Sequence, residues 1–308
     1  MNAEGMREFF ERAGYHVART ASADWYLPGD RVYKNFPYGK AVLPTPDETA
    51  ALLRHDRIIG IEFHNDSGIG VSSGIWVVRD PAYGLHSLQR QFRQRMTRAL
   101  EQKEVRRIDF DELCRLGMAA NRESLARLRY ADPHLSDPVL WKRLCTAGRD
   151  TPGAGAFASF GPQGLTSYLV YFIVDDTCYG LISKSLDAAR ATGSNNALYF
   201  TYTQTMICHP GVAAVSMGPQ AVPPLPGLDR IKRHAGYRLE PRNVAVVLRP
   251  RAHALIASAV GGLAMRLGSS LFGERTFLSR AQALRVMVRA TDEGMRARIA
   301  NRGISAIQ

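Results

Sequence analysis

The stretch that decides the fold reads Gly227-Leu228-Asp229-Arg230-Ile231-Lys232-Arg233-His234-Ala235-Gly236-Tyr237 and continues from Arg238 to Pro250. Its first part predicts a short basic helix, because Leu228 and Ile231 lie three residues apart and share a helix face. Cations fill the last turn, where they suit the helix dipole, and Gly236 stands where helices commonly end. The apolar residues that follow predict a buried strand. The stretch therefore predicts a helix, a glycine stop and a closing strand.

The residues upstream of this stretch predict a fixed order of elements between Val105 and Pro250. The order is strand, helix, helix, three antiparallel strands, helix, strand, helix and strand. Asp137-Pro138 indicates a helix start, and Gly161-Pro162-Gln163-Gly164 and Asp175-Asp176 indicate turns between strands. The third helix of this series is expected to run from Asn195 to Cys208.

This element order and the helix–glycine–strand stretch resemble the GNAT and FemAB-like acyltransferases. The arginine-rich segment Leu88 to Ala99 is similar to the helix that leads into the second GNAT-like half of FemAB-type proteins. The resemblance implies an α/β fold with a GNAT-like, mixed but mostly antiparallel sheet flanked by helices. It is expected to have a smaller N-terminal α/β region and a basic helical tail. The expected segments are an N-terminal α/β region, a basic connecting helix, the acyltransferase domain and the tail, at 1–85, 86–103, 104–250 and 251–308.

Charge points to an anionic partner. The formal net charge is +12, and the residues from 251 to 308 hold nine arginines against three acidic residues. Such a surface favours nucleic acid, a nucleotide, an acidic carrier protein or an anionic membrane. The longest apolar window, Ala252 to Leu267, falls short of the roughly 20 residues that a transmembrane span needs. No signal peptide is recognisable, and four widely spaced cysteines form no metal pattern, which together predict a cytoplasmic protein without a metal.

A donor site is implied at the start of the third helix. GNAT proteins usually carry Q/R-x-x-G-x-G/A there, and Arg190 and Gly193 match this pattern while Asn195 replaces the last small residue. With Ser194, these residues are expected to bind the pyrophosphate of a coenzyme A thioester through free amides and a guanidinium. The resemblance adds Lys232 to the cofactor-binding set. The alternative is an ordinary helix start with a surface arginine.

Two residues are candidates for acid–base chemistry. Tyr202 lies seven residues into the donor helix and is placed to protonate a leaving thiolate, or else it is a core aromatic with a satisfied hydroxyl. His64 has a carboxylate two residues away on each side, at Glu62 and Asp66, although a single histidine of this kind is more often structural.

The preferred function is transfer of an acyl group from a thioester, on coenzyme A or a carrier protein, to an amine. The enzyme would accelerate this transfer by positioning the donor and the amine and by stabilising the oxyanion with strand amides. Two alternatives stay open: aminoacyl transfer from tRNA, and a degenerate GNAT fold that binds an anionic partner such as a membrane surface. Motifs for other chemistry, such as GxSxG, a Walker loop or HExxH, are absent from the sequence.

The apolar and basic residues of the tail, 251–308, predict how it packs and what it binds. Leu284, Met287 and Val288 indicate a face that docks on the body, while Arg285 and Arg289 face outward. The tail is expected to guide an anionic partner without being needed for folding. The competing expectation is that it covers an apolar face of the sheet.

Overall fold

A computed structural model describes residues 3–29, 31–56, 58–128, 132–257 and 277–305. Within these ranges, the side chains of 128, 190 and 191 and those of the last helix outside 282–298 are not described. The chain divides into two compact units, each built from three segments. Unit 1 comprises Met1–Val17, Ile75–Gly218 and Pro226–Glu240, and unit 2 comprises Ala18–Gly74, Pro219–Leu225 and Pro241–Gln308. The four predicted segments are contiguous and do not follow this division, so they remain a prediction.

The secondary structure consists of eleven strands and twelve α-helices within the described residues. The strands are β1 (His16–Arg19), β2 (Asp24–Leu27), β3 (Val32–Phe36), β4 (Gly60–Asn65), β5 (Val71–Val78), β6 (Glu104–Ile108), β7 (Ala154–Gly161), β8 (Gly164–Val174), β9 (Thr177–Ser185), β10 (Ala214–Pro219) and β11 (Arg238–Leu248). The helices are α1 (Ala3–Ala13), α2 (Pro46–Leu53), α3 (Arg90–Gln102), α4 (Phe110–Leu116), α5 (Met118–Leu128), α6 (Pro133–Ser136), α7 (Pro138–Arg149), α8 (Asp187–Ala191), α9 (Ser194–Ile207), α10 (Pro226–His234), α11 (Pro250–Ala257) and α12 (Phe277–Ser305).

The sheet of unit 1 runs in the order β5–β10–β9–β8–β7–β6. Strands β6 to β9 are antiparallel neighbours, and β9 and β10 are parallel. Helix α9 makes the crossover between the two parallel strands, as a parallel pair requires. Its apolar face packs with α3 and the strands in a core that includes Phe92, Phe157, Leu198 and Val215. The predicted order of strands is confirmed, but four helices (α4 to α7) rather than two lie between β6 and β7, and the short helix α8 precedes α9.

Local sequence explains where several elements of unit 1 begin and end. Helix α7 starts as predicted, because the Asp137 carboxylate accepts hydrogen bonds from the amides of Val139 and Leu140. Strands β7 and β8 meet at Gly161 and Gly164, and the φ of +104° at Gly164 suits a residue without Cβ. Asp175, with a φ of 53°, makes the next turn, which aspartate tolerates better than most residues.

The sheet of unit 2 runs in the order β1–β2–β3–β4–β11–β5. Its core includes Trp25, Tyr33 and Phe63. Helix α2 begins with a capping box: the Thr45 hydroxyl accepts from the Glu48 amide, and the Glu48 carboxylate accepts from the Thr45 amide.

Helix α12 is part of this unit rather than an accessory tail. Met287 and Val288 are buried against Val244, Val246 and Leu248 of β11, with Leu284 beside them. The Val246 amide donates a 3.0 Å hydrogen bond to the Thr291 hydroxyl. The predicted docking face is therefore confirmed, and Arg289 is exposed as expected, whereas Arg285 is only half-exposed. The competing expectation, that the tail covers an apolar sheet face, matches the structure.

Candidate functional site

The parallel pair β9–β10 separates within unit 1. Its register joins Ala214 to Thr177, Val215 to Cys178 and Ser216 to Tyr179, and the pairing stops there. Strand β9 itself continues to Ser185, beyond the last residue that the β9–β10 register includes. We call the region flanked by 180–185 of β9 and 217–218 of β10 the strand cleft. It lies at the carboxyl ends of two parallel strands, where open α/β sheets commonly bind ligands.

A β-bulge lies in β9 where the cleft opens. Val170 of β8 pairs with Ile182, but the next residue, Tyr171, pairs with Gly180, so Leu181 is an extra residue. A bulged residue is left out of the ladder and is frequently found beside active sites. Leu181 therefore has no register partner on β8, and its backbone amide is the candidate donor to a ligand at this point.

Helix α9 begins at the far end of the cleft. Gly193 is its N-cap, with a φ of 73° that glycine adopts without strain. Ser194 is buried, and its hydroxyl lies 3.0 Å from that of Thr192. Asn195 donates from Nδ2 to the Ser185 hydroxyl at 3.2 Å, while its buried Oδ1 has no hydrogen-bond partner among the described residues. The first amides of a helix lack intrahelical acceptors, so this end favours an anion.

The end of β9 is fixed by helix α5. The Ser124 hydroxyl donates to the Ser185 carbonyl at 2.9 Å and accepts from the Ser185 amide at 3.0 Å. Two residues on, the Asp187 amide donates to the Glu123 carboxylate at 2.6 Å, and Arg127 forms an ion pair with the Asp187 side chain. These bonds preorganise the turn that leads into α9.

The predicted donor residues 193–195 thus lie together at the start of α9. Arg190 belongs to the short helix α8 rather than to a loop, and its side chain lies outside the described ones. Sequence reasoning missed α8, because a helix of only five residues gives no periodic pattern.

Lys232 lies at the other end of the cleft. Its Nζ donates to the Met217 carbonyl at 2.9 Å and lies 5.9 Å from the centroid of the Trp76 ring. Burial lowers the pKa of Lys232 to about 8, and the charge of Asp229 opposes that shift. A Cβ on Gly180 would lie 3.3 Å from the Ser216 carbonyl oxygen and 3.6 Å from the Met217 sulfur, so a glycine at this position lets β9 and β10 approach closely where the cleft begins.

Helix α10 turns its polar side inward. Asp229 is only 6% exposed and Lys232 is partly buried, whereas Leu228 and Ile231 are each 43% exposed. Leu228 and Ile231 share a face as the sequence predicts, but that face is exposed to solvent. Desolvating a lysine and an aspartate is costly, which indicates a role beyond packing.

Tyr202 lies in the core of unit 1. Its side chain is fully buried, its ring packs against Phe157 and Tyr171, and its hydroxyl lies 3.3 Å from both the sulfur and the carbonyl of Cys178. This arrangement is that of a core aromatic residue whose hydroxyl has hydrogen-bond partners. A catalytic role for Tyr202 stays a prediction.

Tyr199, one turn earlier on α9, lies beside the cleft and was missed by sequence reasoning. Its hydroxyl lies 2.8 Å from that of Ser183 on β9, and burial raises the pKa of Tyr199. The signal that would have found it is the alternation of Ser183 and Ser185, which places both hydroxyls on the face of β9 that carries α9.

His64 belongs to β4 of unit 2. It is 5% exposed, and its Nδ1 has no hydrogen-bond partner among the described residues. Burial lowers the pKa of His64; Glu62 opposes this effect, whereas Lys34 and Arg242 add to it. A neutral imidazole follows, and its catalytic role stays a prediction. In the described part of the chain, no three or more His, Cys, Asp or Glu side chains are grouped as metal ligands.

Comparisons with known proteins address the fold. No family model matches the sequence, and no curated protein matches it. Among solved structures, the chain is similar to FemX, at 11% identity and a TM-score of 0.53 over 82% of this chain and 92% of that chain. It is also similar to a GCN5-related N-acetyltransferase from Kribbella flavida, at 11% identity and a TM-score of 0.48 over 82% and 96% of the two chains. A third is L-PGS from Bacillus licheniformis, at 13% identity and a TM-score of 0.48 over 86% and 96%. The predicted fold class is confirmed, and the chain has a GNAT/FemAB-like fold.

Proposed function

We propose that this protein transfers an acyl or aminoacyl group to an amine, with the donor bound along the strand cleft of unit 1. The observation that carries the proposal is the early end of the β9–β10 pairing beside the bulge at Leu181. The cleft therefore has the backbone of the bulge at one end and the N-terminus of α9 at the other. Because β9 rises about 3.3 Å per residue, Gly180 and Ser185 lie roughly 16 Å apart, which suits an extended donor.

The start of α9 would take the donor's phosphates. The amides at the N-terminus of α9 and the Nδ2 group of Asn195 supply donors without a full charge. Arg190, placed on the preceding helix, would add a guanidinium.

The bulge and Lys232 would stabilise the negative charge that develops on the reacting carbonyl. As the amine attacks, a C–N bond forms, the C–S or C–O bond to the donor breaks, and the proton lost by the amine ends on the leaving atom. Negative charge develops on the carbonyl oxygen, and the Leu181 amide and the Lys232 ammonium are the groups of the cleft suited to stabilise it. Tyr199, held by Ser183, is the hydroxyl best placed to supply the leaving atom with a proton.

The donor class is the open part of the proposal. A coenzyme A thioester would place its pyrophosphate at the start of α9, and an acyl carrier protein would place the single phosphate of its pantetheine arm there. Aminoacyl-tRNA is favoured by α3, which buries Phe92, Met96 and Ala99 and exposes four arginines: Arg90, Arg93, Arg95 and Arg98. A run of exposed arginines suits a phosphate backbone.

None of the described helices combines the length and the apolar composition that a membrane span requires. The four cysteines are free thiols, which supports a reducing compartment, and a cytoplasmic location remains part of the proposal.

Calorimetry with coenzyme A, acyl-coenzyme A and aminoacyl-tRNA tests the proposal. Arg190→Ala should weaken donor binding by on the order of 1.5–3 kcal/mol, because a charge-assisted hydrogen bond is lost. Lys142→Ala, an exposed cation on α7, is the control and should leave the affinity unchanged. Steep salt dependence identifies tRNA and a shallow slope identifies coenzyme A. No heat with any donor contradicts the proposal.

A further inference from the structure

Unit 2 contains a cavity of about 1010 Å³ that the proposed transfer reaction does not use. Three elements form its walls: helix α2 with the residues before it, the end of β11 with the start of α11, and α12. Most of the lining side chains are apolar, among them Leu43, Ala50, Leu53, Ile69, Val247 and Met295. The volume is at the upper end of the range for small-molecule sites.

Among the described residues that line this cavity, arginine is the only charged type. Arg54, Arg249, Arg251 and Arg298 line it, and none of the described lining residues is acidic. Arg249 is committed to the wall, because its guanidinium donates to the carbonyls of Leu53 at 2.7 Å and His55 at 2.6 Å. The other three make no side-chain hydrogen bond or ion pair with any residue that the structure describes, so none of their described neighbours neutralises their charge.

The combination selects a ligand class. An apolar wall favours a hydrocarbon chain, and unpaired guanidinium groups favour a carboxylate or a phosphate. The described lining residues include no aromatic side chain to stack a nucleobase and no carboxylate to bind a metal cation. We propose that unit 2 binds a single-chain anionic amphiphile, with its acyl chain along the apolar wall and its headgroup at Arg54, Arg251 and Arg298.

Two sources share this chemistry, a free fatty acid and a lysophospholipid. Oleate and 1-oleoyl-lysophosphatidylglycerol, each below its aggregation concentration, are therefore titrated into the full chain. Oleyl alcohol carries the same chain without the charge, and 1-oleoyl-lysophosphatidylcholine carries a phosphate whose charge is compensated. Tight binding of oleate alone assigns a fatty acid, and tight binding of the anionic lysophospholipid assigns a phosphate headgroup.

Variants then locate the site. Arg251→Ala and Arg298→Ala should each weaken binding of the anionic amphiphile about tenfold or more. Arg289→Ala and Arg296→Ala remove exposed charges from the same helix α12 outside the cavity and should change the affinity less than twofold. Ala50→Trp, at an exposed position of α2 on the cavity wall, should abolish binding of every chain.

Three results would overturn the proposal: no saturable binding of either anionic amphiphile, equal losses in the cavity and control arginine variants, or equal affinity for oleyl alcohol and oleate. Because the arginine variants alter side chains that hold no other described residue, their outcome stands even if the tryptophan variant does not fold.

Discussion

The strand cleft of unit 1 and the cavity of unit 2 present different chemical groups to a ligand. The cleft offers mainly backbone groups: the bulged residue Leu181, the first amides of α9 and a carbonyl held by Lys232. The cavity offers side chains, an apolar wall and three available guanidinium groups. Backbone groups fixed by a sheet suit charge that appears during a reaction, whereas a packed apolar wall suits a ligand that stays unchanged. The two regions should therefore respond differently to substitution.

The largest expected effect tests how tightly unit 2 is packed beside its cavity. Gly70 has a φ of 92°, and a Cβ there would lie 2.1 Å from the Val244 carbonyl oxygen. Gly70→Ala should lower the free energy of unfolding by more than about 4 kcal/mol, because a backbone clash adds to conformational strain. Gly68, with a φ of 78° and no atom within 4 Å of a Cβ, is the matched control, and Gly68→Ala should cost about 1–2 kcal/mol. Denaturant unfolding measures both, and equal losses would show that the close approach at Gly70 is not real.

The second prediction concerns Lys232 in the cleft. Lys232→Met should lower kcat/KM with a productive donor about 10²-fold, as expected for loss of one oxyanion donor. With a pKa of about 8, Lys232 is protonated below that pH, so activity should fall as pH rises above about 8. That descending limb should be absent in the variant. Lys142→Met should leave the whole profile unchanged, and a limb that persists in Lys232→Met would remove Lys232 from the mechanism.

A third prediction tests the attachment of α12 to the sheet of unit 2. Thr291→Val keeps the shape of the side chain but removes the acceptor of the Val246 amide, so it should cost about 1–3 kcal/mol of unfolding free energy. Thr291→Ser retains the hydroxyl and should cost less. If the two variants are equally stable, the hydrogen bond contributes nothing and α12 is held by apolar packing alone.

The smallest predicted effect concerns pH and His64. Its folded-state pKa lies below the usual value, so the unfolded chain binds the proton more readily. The contribution of His64 to stability is therefore present above about pH 6.5 and is lost as pH falls through the folded pKa, at no more than about 1.4 kcal/mol per pH unit. His64→Gln should flatten that part of the stability curve. An unchanged acid limb would mean that His64 titrates normally in the fold.

The sequence predicts the order of elements because each is defined by local chemistry. Asp137-Pro138 starts α7, Gly161 and Gly164 close a hairpin, and Gly236 follows α10. Residues 193–195 are correctly placed at the start of α9 because a glycine with positive φ before a helix is a local signal.

What the sequence does not predict depends on three-dimensional packing. The bulge at Leu181 arises from the register between β8 and β9, and no residue type in the sequence indicates that register. In α10 the polar residues Asp229 and Lys232 face inward and the apolar face is exposed, the opposite of what an amphipathic helix pattern predicts. The tertiary fold, not the local sequence, sets which face of α10 is buried. The cavity of unit 2 combines α2, β11 and α12, whose separation along the chain conceals it.

Hydrogen–deuterium exchange of the full chain, with and without a donor that binds, tests the central claim most directly. We expect a coenzyme A thioester or aminoacyl-tRNA to slow exchange of the amides at 180–182 and 193–195 in unit 1. Lys142→Ala should give the same protection. Protection confined to residues outside the strand cleft, or a bound donor that protects none of these amides, would contradict the account.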